Sequence, residues 1–385
     1  MEPNSRRSPF SQAGFTLVEI MVGLGIGMLA TVVIIQVISV FEAQRRTTTG
    51  TADAQTNGAI ALYNIARELQ TAGYPLIPVA ASPLECTALT VNGIADATTP
   101  NRLSPVAIAD GVAATGVSAS DAITIRYGAS LMGGVPTQIN AGLTGNVAPV
   151  VSNLGCQAGD ITLITNGTNC YMSSATAVTG TTVGTMTVTL ADTSGATSSL
   201  NLACLGTWHE VTYRVNGGNL ERCDLPIATA TGGNCNLVIP NVNFVPVVAG
   251  IVNLQMQYGV SATANSNQVI QWVDASGTWS APTVTVANRN RIKGVRIAVV
   301  ARNANMEAAA VTAACSSTTL AAPTGLCAWD ATSALPSPVV APFVASPAPA
   351  IDLSAGDPNW LRYRYRVFDT IIQLRNVVWA KDTLL

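Results

Sequence analysis

Charge is what this chain has least of. Only 10% of its 385 residues are Asp, Glu, Lys or Arg, against about 25% in an ordinary soluble domain. Nineteen basic and 21 acidic residues leave a net charge of -2, so the strongly basic footprint of a dedicated nucleic-acid binder is missing. There is one histidine, His209. A His-rich metal site or a histidine-dependent dyad would have to be built on it alone. Aromatics make up only 5% of the chain, yet hydrophobic residues make up 48%. That combination excludes a disordered chain, which pairs low hydrophobicity with high charge. No GxSxG nucleophile elbow occurs. No DxDxDG calcium loop occurs either, and Asp192, Asp274 and Asp330 stand alone, so no metal site and no cofactor is assigned. The closest cysteines are twelve positions apart, which leaves no CxxC zinc or redox pattern. No fixed-period repeat points to a solenoid or propeller.

What is present begins at the N-terminus. Residues 15–41 read FTLVEIMVGLGIGMLATVVIIQVISVF, with Glu19 the only ionisable side chain. From Ile20 to Phe41 there are 22 residues without a charge. As a helix they span about 33 Å, enough to cross the hydrocarbon core of a bilayer. Arg6 and Arg7 lie upstream and Glu42 follows directly, so the positive-inside rule keeps the N-terminus cytoplasmic and exports the rest. The run is longer than a signal-peptide core, and SVFEAQRR after it offers no small-residue cleavage site. The other candidate cut lies before the run, where Gly14 ends a short polar leader.

Gly14-Phe15-Thr16-Leu17-Val18-Glu19 resembles the processing motif of type IV pilins and type II secretion pseudopilins. The resemblance implies cleavage between Gly14 and Phe15 by a prepilin peptidase and methylation of the new Phe15 amine. A glycine suits a cramped scissile position because it has no Cβ. The resemblance also gives Glu19 a role in assembly. A carboxylate at membrane depth costs about 2.5–3.5 kcal/mol and calls for a partner. In this family that partner is the N-terminal amine of a neighbouring subunit; the alternative is that Glu19 snorkels at the bilayer surface. Gly23 and Gly27 form a GxxxG pair that permits close helix packing. Gly-rich apolar segments without that role are also common.

No proline occurs between Pro9 and Pro75. Ile60, Leu62, Ile65, Ala66, Leu69 and Ala72 recur at helical spacing. Gly73 and then Pro75 supply a stop. The pattern predicts one long helix over 16–73, about 87 Å if fully helical. Its weak point is Thr47–Gly50, where β-branched residues and glycine lower helix propensity. The domain organisation is a leader over 1–14, a helix over 15–74 with 15–41 in the membrane, and a head over 75–385.

The head reads as β-rich, making the chain α+β with antiparallel sheets. Strand-like runs are Ala122–Tyr127, Asp160–Thr165, Thr185–Leu190, Glu210–Val215, Val252–Tyr258, Ile292–Arg302 and Arg362–Leu374. Gly217-Gly218 marks a hairpin. Residues 331–358 hold six prolines and read as a loop. Eight cysteines suit an oxidising compartment. They allow 105 pairings. Spacing suggests Cys223 with Cys235 and Cys315 with Cys327. Cys156 and Cys170 bracket the 160–165 strand, which leaves Cys86 for Cys204.

The RELQTAGY stretch ending at Tyr74, VRIAVVAR at 295–302 and RVFDTIIQLRN at 366–376 are similar to minor pilins of the PilW type. Pseudopilins of the GspJ type share the plan but are shorter. The resemblance implies a structural, non-enzymatic protein that primes and caps a pilus at its tip. Its implied partners are other minor pilins, the major pilin, prepilin peptidase, a tip adhesin and, before assembly, the inner membrane. The alternatives are a pseudopilin of a type II secretion system and a membrane-anchored exported binding protein or enzyme. His209 reads as structural. Arg289, Arg291, Lys293 and Arg296 cluster, and Arg362, Arg364 and Arg366 alternate. They read as edge protection or cross-strand partners of acids rather than as a nucleic-acid surface, since aromatics are not interleaved for stacking.

Overall fold

The computed structural model describes residues 14–76, 86–96, 102–114, 117–165, 168–193, 196, 201–226, 235, 237, 243–316, 323–329 and 350–379. The leader before Gly14, with Arg6 and Arg7, lies outside these residues, as do Asp330 and residues 331–349 of the proline-rich loop.

The long helix α1 (Leu17–Thr71) comes first. It is followed by β1 (Ala88–Val91), β2 (Ile94–Ala95), β3 (Val106–Ala114), β4 (Val117–Gly128), β5 (Thr137–Gln138) and β6 (Val147–Pro149). Next are β7 (Ile161–Thr165), β8 (Asn169–Thr179), β9 (Thr187–Leu190), β10 (Asn201–Gly206), β11 (Trp208–Asn216) and β12 (Asn219–Pro226). The chain ends with β13 (Val245–Ala249), β14 (Ile251–Ser261), β15 (Val269–Val273), α2 (Val286–Arg289), β16 (Ile292–Arg302), β17 (Tyr365–Gln373) and α3 (Arg375–Trp379). Among the described residues these strands form three sheets. An eight-stranded sheet runs β2-β1-β8-β7-β10-β5 and carries β6 and β9 to one side through β8. A five-stranded sheet has the order β13-β12-β11-β4-β3, and a four-stranded one β15-β14-β16-β17. Every pairing between named strands is antiparallel except β1 with β8. The protein is thus α+β: a long apolar N-terminal helix followed by a β-rich head.

The Thr47–Gly50 stretch does not interrupt α1. The hydroxyls of Thr48 and Thr51 donate to the carbonyls of Gln44 and Thr47 at 2.9 and 2.8 Å. Threonine that bonds back four residues meets its polar need on the helix itself. The C-terminal stop lies where Gly73 suggested, two residues past the last helical one. Gly73 has φ +77, and a Cβ there would stand 3.1 Å from the Pro105 ring. Its N–H donates to Arg126 O at 2.9 Å, which ties the helix end to β4.

By packing, the chain divides between Thr51 and Ala52. In the first unit the apolar side chains of α1 are exposed on every side, as with Leu17, Ile20, Leu24, Ile34 and Phe41. A helix apolar all round needs a membrane or other helices to cover it. In the second unit the remainder of α1 buries one face. Ala54, Ala61, Ile65, Leu69 and Ala72 join a core with Ile108, Ile123, Ile125 and Val211 of the five-stranded sheet. Met256, Ile297 and Val299 of the four-stranded sheet complete it. Gly58 allows close approach on this helix, because a Cβ there would collide with the Phe368 ring of β17.

Strand β16 is covered on both faces. Val295, Ile297, Val299 and Ala301 point to the helix-side core, while Ala298 and Val300 meet Trp329, Leu353 and Trp360 in an outer cluster. That is why IKGVRIAVVAR reads as a continuous rather than an alternating run. Side chains of β4 join the five- and four-stranded sheets. Ser120 Oγ accepts from Leu254 N–H at 3.0 Å, and Asp121 Oδ2 accepts from Met256 N–H at 2.6 Å. The other Asp121 oxygen accepts from Gly111 N–H at 3.0 Å. Burial foremost, with the nearby Asp110 charge adding to it, lifts the Asp121 carboxyl to about 8.

Candidate functional site

The start of α1 is shaped by two polar residues. Thr16 stands just before the first helical residue and Glu19 lies in the first turn. Thr16 Oγ1 accepts from Glu19 N–H at 3.2 Å, and Thr16 N–H donates to Glu19 Oε2 at 3.2 Å. This is a reciprocal capping box, and it satisfies two backbone donors that the helix cannot. The expectation that Glu19 needs a partner left out this one, although T-x-x-E ahead of an apolar run is its sequence signature. Glu19 therefore has an intrachain role alongside any contact with a neighbour's amine. Gly14 and Phe15 lie immediately before the helix, with Phe15 82% exposed. Around Gly23 and Gly27 nothing stands within 4 Å of where a Cβ would be, so both positions present open surface on this single chain. The helix is long and apolar enough to cross a membrane.

The cysteines form four bridges, and two of the suggested pairings need correction. Cys223 bonds Cys235 and Cys315 bonds Cys327, the two pairs suggested by spacing. Cys156 does not bond Cys170, nor Cys86 Cys204. Instead Cys86 bonds Cys170, with Cα atoms 5.9 Å apart, and Cys156 bonds Cys204 at 5.3 Å. The physical reason is the β7–β8 hairpin. Cys170 stands opposite Thr165 at the far end of β7, whereas Cys156 precedes its near end. The length of a strand separates them, beyond the span a disulfide bridges. Cys204 is opposite Thr162, near the start of β7 and so near Cys156. Cys86 immediately precedes β1, whose parallel register with β8 sets Leu89 opposite Cys170.

The basic clusters also differ from expectation. Arg289, Lys293 and Arg296 are buried, at 5%, 0% and 1% exposure. They form neither an edge guard nor a surface for phosphates. Lys293 Nζ donates to Ala264 O at 2.6 Å, and burial lowers its pKa to about 8. Arg289 Nη2 donates to Cys86 O at 2.9 Å; burial, then the Arg126 charge, lowers it to about 10. Arg296 lies 4.3 Å over the Trp329 ring, and Arg291 donates to Ser261 O at 2.8 Å. The later cluster shows the expected pairing with an acid, through Arg364 and Glu307 at 2.8 Å. Arg362 lies in a short 3-10 turn before β17 rather than in the strand.

His209 belongs to a polar network on the five-stranded sheet. Its Nδ1 lies 3.1 Å from Asp224 Oδ1 and its ring stacks on Tyr127, with centroids 5.1 Å apart. Asp224 Oδ2 accepts from Arg222 at 2.8 Å, and Arg222 reaches Glu68 of α1 with Nε at 3.1 Å and Nη2 at 2.8 Å. Burial alone would raise the Asp224 carboxyl, but bonds from His209 and Arg222 outweigh it and hold the group below its ordinary range. The Tyr213 phenol beside them is raised, by burial first and by the Glu68 charge second. Among the described residues, no three His, Cys, Asp or Glu side chains gather as metal ligands would.

Comparison with known proteins places two parts of the chain. Residues 9–35 match the prokaryotic N-terminal methylation motif. Residues 239–376, from before β13 into α3, match the family model described as type IV pilus-assembly protein W. Among solved structures the chain is similar to the type IV-like pilin TTHA1219 from Thermus thermophilus. That match has 14% identity and a TM-score of 0.34, and covers 84% of this chain and 96% of the other. No curated protein matches. With a prepilin methylation motif at its start and a PilW domain over 239–376, this chain resembles a type IV pilus minor pilin of the PilW kind.

Proposed function

We propose that the chain is a structural minor pilin that helps prime and cap a type IV pilus at its tip. Before assembly it sits in the inner membrane by residues 15–41, with the head in the periplasm. Prepilin peptidase removes residues 1–14 and leaves an N-methylated Phe15. Its partners are other minor pilins, the major pilin and a tip adhesin. The observation that carries this reading is the order of features: GFTLVE, then 22 uncharged residues, then a head with a PilW domain. The same PilW match favours a pilus over a secretion pseudopilus.

Glu19 supplies the test. If it pairs with a neighbour's Phe15 amine, Glu19→Ala strands a buried charge. Breaking such a pair costs about 3–5 kcal/mol, a loss of incorporation of about two orders of magnitude or more. The variant should still insert, because its apolar run is intact, and should still be cut after Gly14. Glu19→Gln keeps a side chain competent for the capping box but drops the charge. Co-purification with other minor pilins and piliation should therefore fail for both variants. Normal assembly of Glu19→Gln would reduce Glu19 to a cap. Retention of residues 1–14 in mature protein, read by intact mass, would sink the pilin reading itself.

A further inference from the structure

Two loops of the head hold large apolar side chains out in water. Leu131, Met132 and Val135 lie between β4 and β5, and Leu154 lies between β6 and β7. Leu131 and Leu154 are 77% and 74% exposed. The loops meet where Met132 lies over Gly155, at which a Cβ would stand 2.6 Å from Met132 Cβ. Leu131 and Leu154 flank that contact in the chain, so the exposed side chains gather into one patch. Neither loop is free to fold its apolar side chains inward. Tyr74 Oη, just past α1, donates to Ser130 O at 3.1 Å, and Gly134 N–H donates to Ser130 Oγ at 3.1 Å. Asn153 Nδ2 donates to the carbonyls of Thr179 and Gly180 at 2.9 and 3.0 Å, and Cys156 is bonded to Cys204. A preorganised surface gives up little freedom on docking, and an apolar patch held in water marks an interaction site.

The composition of these loops narrows the occupant. Residues 128–159 contain no Asp, Glu, Lys, Arg or His, and no Phe, Trp or Tyr. A nucleic acid would look for cations and for aromatics to stack on, and an anionic membrane would look for cations. A charged protein surface would lose its hydration here and gain no counter-charge. What fits is a surface that is itself apolar and uncharged. A two-fold contact sets a patch against the same patch of its partner, so a charge near the axis would face its like. These loops bring no charge to such an axis, and each further copy of the chain carries the surface that matches them.

We propose that two copies of this chain dock on each other through Leu131, Met132, Val135 and Leu154. The contact does not rest on a role at a pilus tip, and its test needs no pilus. Full-length protein, labelled at its C-terminus with a donor or an acceptor dye, is reconstituted at low density in phosphatidylcholine vesicles, where no detergent covers the patch. Energy transfer between the dyes reads association, and the wild type should associate. Leu131→Lys with Leu154→Lys should weaken association at least about tenfold, and so should Leu131→Asp with Leu154→Asp. Mixing the lysine variant as donor with the aspartate variant as acceptor should restore it, a recovery that misfolded chains cannot give. Both leucines are exposed, so each variant should keep the wild-type unfolding temperature. Should either fail to fold, Leu131→Ser with Leu154→Ser should weaken the contact without adding charge. Absence of transfer in the wild type would overturn the proposal. Undiminished transfer in folded variants would also overturn it and leave association to the apolar half of α1. So would failure of the folded lysine and aspartate variants to recover on mixing.

Discussion

The eight-stranded and five-stranded sheets belong to one head but are held by different forces. None of the eight strands of the first carries a charged residue. Between Arg126 and His209 the only charged residues are Asp160 and Asp192. Threonine and serine take over the cross-strand bonding: Thr162 donates to Ser173 O and Thr179 meets Thr187, each at 2.8 Å. Two disulfides, Cys86–Cys170 and Cys156–Cys204, staple this sheet to the segments beside it. In the five-stranded sheet every strand but β13 carries charge, and ion pairs do the fastening. Arg126 reaches Glu210 at 3.1 Å, Arg214 reaches Glu221 at 2.8 Å, and Arg222 bridges Glu68 and Asp224. The uncharged sheet packs apolar clusters around Leu163 and Ile164, on alternate faces of β7, and carries its staples beside them. In the charged strands Arg126, Glu210 and Arg214 alternate with the helix-facing Ile125, Val211 and Tyr213, so of these pairs the Arg222 ones are those on the face that α1 covers.

The largest effect that would sharpen this contrast is loss of one partner in the charged sheet. Glu221→Ala leaves the Arg214 guanidinium buried without its carboxylate. Such a change costs about 3–5 kcal/mol, read as a lower urea midpoint of the full-length protein in detergent. A loss under ~1 kcal/mol, as for a surface pair, would break the contrast. Next comes removal of a staple by joint Cys156→Ser and Cys204→Ser replacement, expected to cost about 2–4 kcal/mol. That cost should be the same at low and high salt, because no charge is involved; a strong salt dependence would show hidden electrostatics in the uncharged sheet.

The smallest effect is that of one neighbouring charge, Asp110, on a buried carboxyl. The Asp121 carboxyl rises from 3.8 to about 8 on folding, so the folded head keeps a proton that the unfolded chain gives up. Its contribution to stability is complete below pH 3.8 and is lost as pH rises through about 8. Asp110→Asn removes the neighbouring negative charge and should move the upper limit of that window down. Unfolding temperature against pH for the two proteins reads this directly, and identical profiles would show that Asp110 does not act on Asp121.

Much of this was legible in advance, and the exceptions have physical causes. GFTLVE and the apolar run announced the helix, and Gly73 with Pro75 announced its end, because those signals are local. Strands rich in Val, Ile and Thr, such as β4, β11, β14 and β16, could be read for the same reason. Strand β8, NCYMSSATAVT, could not, because Ser and Ala carry little strand preference and its place depends on neighbours on both sides. The basic residues of β16 misled for a related reason. Lys and Arg are almost never fully buried, and nothing local reveals that both faces of that strand are covered. The polar network around Arg222 was invisible in the same way: Glu68, Tyr127, Tyr213 and Arg222 are up to 154 positions apart and meet only across the helix–sheet contact. The Glu19 cap, by contrast, was available in the sequence and was overlooked in favour of a longer-range partner.

The order of the cysteines along the chain has its own consequence. The pairs Cys86–Cys170 and Cys156–Cys204 interleave, since Cys156 lies inside the first loop and Cys204 outside it. A chain oxidised in the order in which its thiols emerge would first join Cys86 to Cys156, a bond the folded head does not contain. Correcting it requires thiolate attack on an existing bridge, a process of seconds to hours that isomerases accelerate. Maturation of this protein is therefore tied to the exchange capacity of its compartment as well as to its oxidising power: a strong oxidant alone would trap the uncharged sheet in the wrong connectivity, while the two twelve-residue loops would close correctly regardless.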